Sequence, residues 1–195
     1  MAWIVDGLSY TKRKKITISH LNVKEALTNF PLKVELSSDT DIGAISNVDG
    51  FDIRFVSFGG TLLKYERESF AIAIGAASGI FWVKIPSISS LFDTKIYIYY
   101  RAADTADGSD PTNAWDANFV DVYHLEEVAT DHTVNSSTTT HTGTSFRHCN
   151  LLTSAGKIDL GFTFDGSSDL VDTGNVDPVH PLTFSAWIKI ADNTV

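Results

Sequence analysis

The chain has 195 residues, 43% hydrophobic, 11% aromatic and 20% charged, enough apolar material for one large or two ordinary domains. Its formal charge of -9 disfavours a nucleic-acid backbone or an anionic membrane as partner, and no apolar run approaches the roughly 20 residues of a membrane helix. Cys149 is the only cysteine, which excludes an intrachain disulfide; the opening MAWIVDGLSY lacks a charged-then-apolar leader, so export by the ordinary signal route is not expected.

In chain order, the basic run KRKK at 12–15 leads into ITISHL, where Ile16 and Ile18 alternate with Lys15 and Thr17, the period of a strand with one buried face. The lysines read first as a solvated edge that discourages sheet-to-sheet aggregation and second as a receptor-binding patch. Leu32, Val34 and Leu36 then alternate with Lys33 and Glu35, and 38–48 has room for one short helical turn. Phe51, Ile53 and Phe55 face one way, with Asp52 and Arg54 facing the other. After Gly59–Gly60, Leu63 and Tyr65 oppose Lys64, Glu66 and Glu68, so this stretch reads as a hairpin. IFWVKIP at 80–86 and KIYIYY at 95–100 are apolar on both faces, as in central strands covered from two sides. The expected core of this part comprises Ile16, Ile18, Leu32, Val34, Ile53, Phe55, Trp82, Ile96 and Ile98.

Residues 102–118, AADTADGSDPTNAWDAN, break the alternation and read as a linker, with Trp115 anchoring it to a neighbouring surface. A second strand set follows. Phe119, Asp121, Tyr123 and Leu125 alternate with Val120, Val122 and His124; a polar Thr/Ser-rich loop occupies 130–145. Ile158, Leu160, Phe162 and Phe164 form one apolar face, and Leu182, Phe184, Ala186, Ile188 and Ile190 form another, opposite Trp187. The fold class is all-β: two consecutive antiparallel β-sandwiches, jelly-roll-like, over 1–101 and 119–195. The second shows about four strands where a sandwich usually has about seven, so it reads as incomplete, to be completed by further residues or by neighbouring chains.

The stretches TKRKKITISHLNVKEALTNFPLKVEL, DGFDIRFVSFGGTLLKYERESF, FWVKIPSIS and TKIYIYYR, within 9–101, resemble a β-domain family of unknown function found in bacterial, archaeal and phage surface proteins. WDANFVDVYHLEE, AGKIDLGFTFDGSSDLVDTG and LTFSAWIKI, within 115–195, are similar to the opening of a laminin-G-like, concanavalin A-like lectin/glucanase fold. The resemblance implies a modular adhesion or structural protein without naming a ligand, because such folds host binders, enzymes and scaffolds alike.

Candidate chemistry is sparse. Glu66 and Glu68 lie two apart on a strand and share a face, the arrangement a carboxylate pair needs, yet the same stretch is an ordinary charged strand face. The Glu-x-Asp-x-Glu signature of concanavalin A-like glucanases is missing, so no catalytic residue is assigned and no enzyme is expected. His124, His132, His141 and His148, beside Cys149, are spaced too irregularly for a zinc site and read as surface residues. Asp165, Asp169 and Asp172, with Asp131 and Asn135 from the preceding loop, could supply the oxygen ligands calcium prefers. Related concanavalin A-like domains often hold calcium at loop edges. The competing reading is a hairpin turn, since Asp165–Gly166 is a favoured turn dipeptide. Calcium is the one cofactor the residues suggest. Trp187 is the candidate sugar platform, against the alternative that a second sheet or partner chain covers it.

These features together lead us to expect a non-enzymatic structural or adhesion protein, a phage virion component such as a tail or head fibre or a capsid decoration. Its expected partners are other virion proteins or copies of itself and a cell-surface glycan, with no nucleic acid and no membrane insertion. A bacterial surface carbohydrate-binding protein is the alternative, and a fragment of a glycoside hydrolase the second.

Overall fold

The computed structural model describes residues 2–44, 46–101, 106–125, 133–134, 136–138, 143–146, 150–158, 160–174 and 183–190. The chain divides into two units, Met1–Asn118 and Phe119–Val195. The described regular structure is nearly all β, in antiparallel sheets. The two helices, α1 (Thr40–Gly43) and α2 (Pro111–Ala114), are single turns capped by Asp39 and Asp110.

In the first unit the chain runs β1 (Trp3–Val5), β2 (Leu8–Tyr10), β3 (Lys12–Ile18), β4 (Leu27–Asp39), β5 (Arg54–Ser57), β6 (Leu62–Leu63), β7 (Tyr65–Ala73), β8 (Ala76–Ile88) and β9 (Thr94–Tyr100). Two sheets, β3-β9-β5-β6 and β4-β8-β7, share one apolar core. β8 and β9, the strands with apolar residues on both faces, are central in their sheets. Phe55, Ile96, Ile98 and Tyr100 enter the core from the first sheet, and Val34, Tyr65, Phe81, Val83 and Ile85 from the second. Each fully buried aliphatic or aromatic side chain contributes about 1.5–3 kcal/mol. Ile16, Ile18 and Leu32 pack against this core while only partly buried. Trp82 departs from the expected core: its cross-strand partners Lys33 and Glu66 show that it sits on the outer face of β8.

The expected hairpin around Gly59–Gly60 exists, but only Phe55↔Leu63 and Val56↔Leu62 pair across it. The chain then crosses at Lys64, whose carbonyl accepts from the Lys84 N–H at 2.9 Å, and β7 joins the other sheet beside β8. That crossing closes one flank of the sandwich. On the other flank the edge strands β3 and β4 line an open groove of about 620 Å³ with Ile16, Ile18, Leu27 and Leu32 on its walls.

A third layer covers the outer face of the first sheet. Asp6 and Gly7 adopt φ of 52° and 73°, the left-handed pair of a two-residue hairpin turn, and Val5↔Leu8 flank it. The β1–β2 hairpin lays Trp3, Val5, Leu8 and Tyr10 over Val56, Tyr97 and Tyr99. The face of β5 carrying Arg54, opposite Ile53 and Phe55, is therefore buried, with Arg54 only 3% exposed. Its guanidinium donates to Asp6 Oδ2 and to the carbonyls of Phe51, Ile53 and Ala106. Asp52 is fully buried too, accepting from the Ser46 hydroxyl and from the N–H groups of Asn47 and Arg101. Paired or multiply hydrogen-bonded burial is what makes such charges tolerable.

The described part of the expected linker, 106–118, belongs to the first unit. Asp107 takes both outer nitrogens of Arg67 at 2.6 and 2.7 Å, and Asp110 accepts from Lys64 at 2.7 Å. Gly108 lies against the Arg54 guanidinium, where a Cβ would come within 1.9 Å of Nη1. Trp115 is buried against Trp82, ring centroids 5.4 Å apart, and so anchors the segment.

The second unit contains β10 (Thr133–Val134), β11 (Gly143–Phe146), β12 (Asn150–Ala155), β13 (Leu160–Thr163) and β14 (Leu170–Asp172), in sheets β10-β11-β14 and β12-β13. Two expectations change here. The turn after Phe164 does not close a hairpin, because β13 pairs with β12 while β14 pairs with β11; it is a crossover between sheets. Residues 183–190 form no strand, and Phe184, Trp187, Ile188 and Ile190 are 73–84% exposed, because no described segment pairs with them.

Candidate functional site

The outer face of β3 and β9 is a grid set by register: Arg13 opposes Tyr99, Lys15 opposes Tyr97 and Thr17 opposes Lys95. The β1–β2 hairpin covers the Tyr99 end and stops short of the other. There Tyr97 is half-buried, and Phe58, just past β5, is 67% exposed. Phe58 is held because its N–H donates to the Lys95 carbonyl at 3.1 Å, and the following turn is tied by the Thr61 N–H to the Ser57 hydroxyl at 3.0 Å. The Phe58 and Tyr97 rings stack, 19° from parallel with centroids 6.2 Å apart.

Arg13 joins the hairpin to this stack. Its guanidinium carbon lies 4.6 Å from the Trp3 ring centroid, 4.1 Å from that of Tyr97 and 5.7 Å from that of Tyr99. Nη1 donates to the Tyr99 hydroxyl at 2.8 Å. Lys95 Nζ stands 6.0 Å from the Phe58 ring centroid. Each exposed cation–ring contact contributes about 0.5–1 kcal/mol, and several on one guanidinium fix its plane. The result is an aromatic surface of Phe58 and Tyr97, with Arg13 over Tyr97 and Lys15 and Lys95 on the same face. Chemically it can stack the apolar face of a ring and offer charged donors beside it.

The sequence singled out none of these rings as a site. KIYIYY reads as a strand covered on both faces, which holds for Tyr99 and fails at Tyr97. The available signal was Asp6–Gly7 between WIV and LSY, which marks a hairpin too short to cover a whole sheet.

The residues singled out in the sequence fall elsewhere. Trp187 is 73% exposed, its ring centroid 5.9 Å from Lys157 Nζ, and is thus accessible as a sugar platform requires. Asp131 and Asn135 lie outside the described residues. The Asp165 carboxylate accepts from the N–H groups of Ser167, Ser168 and Asp169 and from the Ser168 hydroxyl. Those backbone bonds hold its carboxyl well below the usual aspartate range. Asp169 Oδ2 accepts from the Asp165 N–H, and Asp172 Oδ1 from the Gly174 N–H. These bonds are turn chemistry, while Asp169 Oδ1 is buried without a hydrogen-bond partner among the described residues; no group of three or more metal-ligating side chains gathers among them.

Glu66 and Glu68 do share the outer face of β7, helped by an irregularity in pairing between Arg67 and Ser69. Each carboxylate accepts an indole N–H, Glu66 from Trp115 at 2.8 Å and Glu68 from Trp82. Glu66 is only 7% exposed. These contacts make the pair an anchor for the two tryptophans.

By class, then, the protein is an all-β sandwich with a covering hairpin and an aromatic, basic outer face. Residues 49–141, a little under half of the chain, match the family described as "Domain of unknown function (DUF2341)". That match overlaps the stretch that resembles a β-domain of unknown function and runs beyond Asn118 into the residues of the second unit. No curated relative and no solved structure matches the chain.

Proposed function

We propose that this chain is a non-enzymatic adhesion module that holds a glycan on the platform formed by Trp3, Tyr97 and Phe58. Its setting is a virion surface, as a tail or head fibre or a capsid decoration, with residues 119–195 acting as a laminin-G-like companion module. The observation that carries the reading is the exposed Phe58 ring stacked on a half-buried Tyr97, beside an Arg13 held over Trp3 and Tyr97. Rings in this arrangement expose apolar area that water solvates poorly, and sugars offer matching C–H faces. A bacterial surface carbohydrate-binding protein would use the same chemistry and differ only in its setting.

The test is a glycan array followed by calorimetry on the whole chain. Phe58→Ala and Tyr97→Ala should each weaken binding about tenfold, the scale of one lost ring contact. Unchanged affinity in both variants, or no glycan bound at any concentration, refutes the platform. Release of reducing ends that disappears in Glu66→Gln or Glu68→Gln would replace adhesion with hydrolysis.

A further inference from the structure

Five Lys and Arg side chains of the first unit stand in salt bridges; Lys12, Lys24, Lys84, Arg101 and the cations of the platform form none among the described residues. Lys14 is paired with Asp39 and Asp41, Lys33 with Glu35, Arg54 with Asp6, Lys64 with Asp110 and Arg67 with Asp107. Of those without a salt bridge, Arg13, Lys15 and Lys95 share the face of the aromatic surface. Asp6 is engaged by Arg54, and Asp93, which also feels the Lys95 charge, by the His20 ring at 2.7 Å and the His20 N–H at 3.1 Å.

Arg13 is the most committed of the three. Trp3 and Tyr97 lie within 5 Å of its guanidinium carbon, and the Tyr99 hydroxyl takes one of its protons. A guanidinium has five N–H donors in a fixed fork, so one bond to Tyr99 leaves most of that fork open. Holding the plane in advance lowers the entropy lost when a planar, two-oxygen acceptor docks on it. A sugar carboxylate, whether of a uronic or a sialic acid, is such an acceptor. The acidic balance of the second unit, ten carboxylates against three basic side chains in 119–195, makes this basic patch local rather than a property of the chain.

Resting on the glycan-binding reading above, we infer that the platform selects carboxylated glycans, with Arg13 receiving the carboxylate as a two-pronged donor, Lys15 and Lys95 flanking it, and Tyr97 and Phe58 carrying the ring faces. Lysine at position 13 would keep the charge and lose the fork, so Arg13→Lys separates geometry from electrostatics.

The experiment is calorimetry of the whole chain with an oligouronate, a sialylated oligosaccharide and the carboxyl-reduced form of each. At least one acidic ligand should bind about tenfold or more tightly than its reduced form, the scale of a hydrogen bond to a charged group. Arg13→Met should remove that preference, and Arg13→Lys should remove most of it. An unchanged urea unfolding midpoint shows that both variants fold. Equal affinity for acidic and reduced forms overturns this inference and leaves the glycan reading standing. A preference that survives in Arg13→Met overturns the role of Arg13. Absence of all binding overturns both readings. Tighter binding of a single-stranded oligonucleotide, lost in Arg13→Met, would overturn the sugar assignment in favour of nucleic acid.

Discussion

Replacing Arg54 by methionine should cost about 2 kcal/mol of unfolding free energy, a large share of the stability of a domain. The guanidinium is 3% exposed and donates to Asp6 and to three backbone carbonyls, those of Phe51, Ile53 and Ala106. Methionine replaces the apolar stem but offers no donor. The Phe51 and Ala106 carbonyls lose their guanidinium partner at about 1 kcal/mol each, the low end for buried polar groups left unsatisfied, while the Ile53 carbonyl keeps the Tyr65 hydroxyl at 2.7 Å. The Asp6 contact adds little, because the Asp6 side chain is 46% exposed and returns to water when released. Asp6→Asn should therefore cost less than about 1 kcal/mol. Urea denaturation with an unchanged slope reads both numbers, and hydrogen exchange at Trp3–Val5 and Leu8–Tyr10 should rise in Arg54→Met. The reasoning fails if Arg54→Met costs under about 1 kcal/mol, or if Asp6→Asn costs as much as Arg54→Met.

Ile98→Ala, at a side chain 1% exposed between the two sheets, should cost about 2–5 kcal/mol in the same urea experiment. Ile74 sits fully exposed with φ 51°, so Ile74→Asn should stabilise the protein by about 1 kcal/mol, seen as a raised urea midpoint. Burial pushes the Tyr10 hydroxyl up to about 12, so the folded state keeps a proton that the unfolded state releases above about 10. Stability should accordingly fall as pH rises from about 10 to 12, and thermal unfolding should show less of that fall in Tyr10→Phe. Phe184→Lys and Ile188→Lys, at positions 84% and 76% exposed, should lower dye binding to apolar surface and reduce aggregation measured by light scattering.

Much of the first unit is legible in the sequence because its strands alternate cleanly and its central strands are apolar on both faces. Alternation identifies which residues share a face; it does not say what lies over the face. Asp52 and Arg54 illustrate the gap, since they occupy the polar side of a correctly read strand and are nonetheless buried under a hairpin and the 106–110 segment. Trp82 fails in the opposite direction, a large ring on the outer face that finds Trp115 from a stretch resembling a linker. At Asp165 the residues specify a turn but not a hairpin: partner choice is non-local, and the two flanking strands pair in different sheets. The candidate site is hidden for the same reason: Tyr97, between Ile96 and Ile98, and Tyr99, between Ile98 and Tyr100, share one face of the strand, and the length of the hairpin distinguishes them.

That length couples stability to the site. The rings that position Arg13 come from two sources, Tyr97 and Tyr99 on a central strand and Trp3 on the hairpin. A central strand is held from both edges, but the hairpin has only three residue pairs and would be marginal alone. What keeps it seated is the apolar contact of Val5, Leu8 and Tyr10 with Val56 and Tyr99, together with the Arg54–Asp6 bond at its turn. Releasing the turn would lift Trp3 from one face of the Arg13 guanidinium while leaving Tyr97, Phe58 and Lys95 in place. Arg54→Met should therefore weaken selection for a carboxylated ligand more than it weakens stacking of a neutral one, even though Arg54 is buried and touches no ligand. Calorimetry with an acidic oligosaccharide and its carboxyl-reduced form separates the two effects. An equal loss for both ligands would mean that Arg54 acts on the sandwich as a whole, and that Trp3 has no part in holding Arg13.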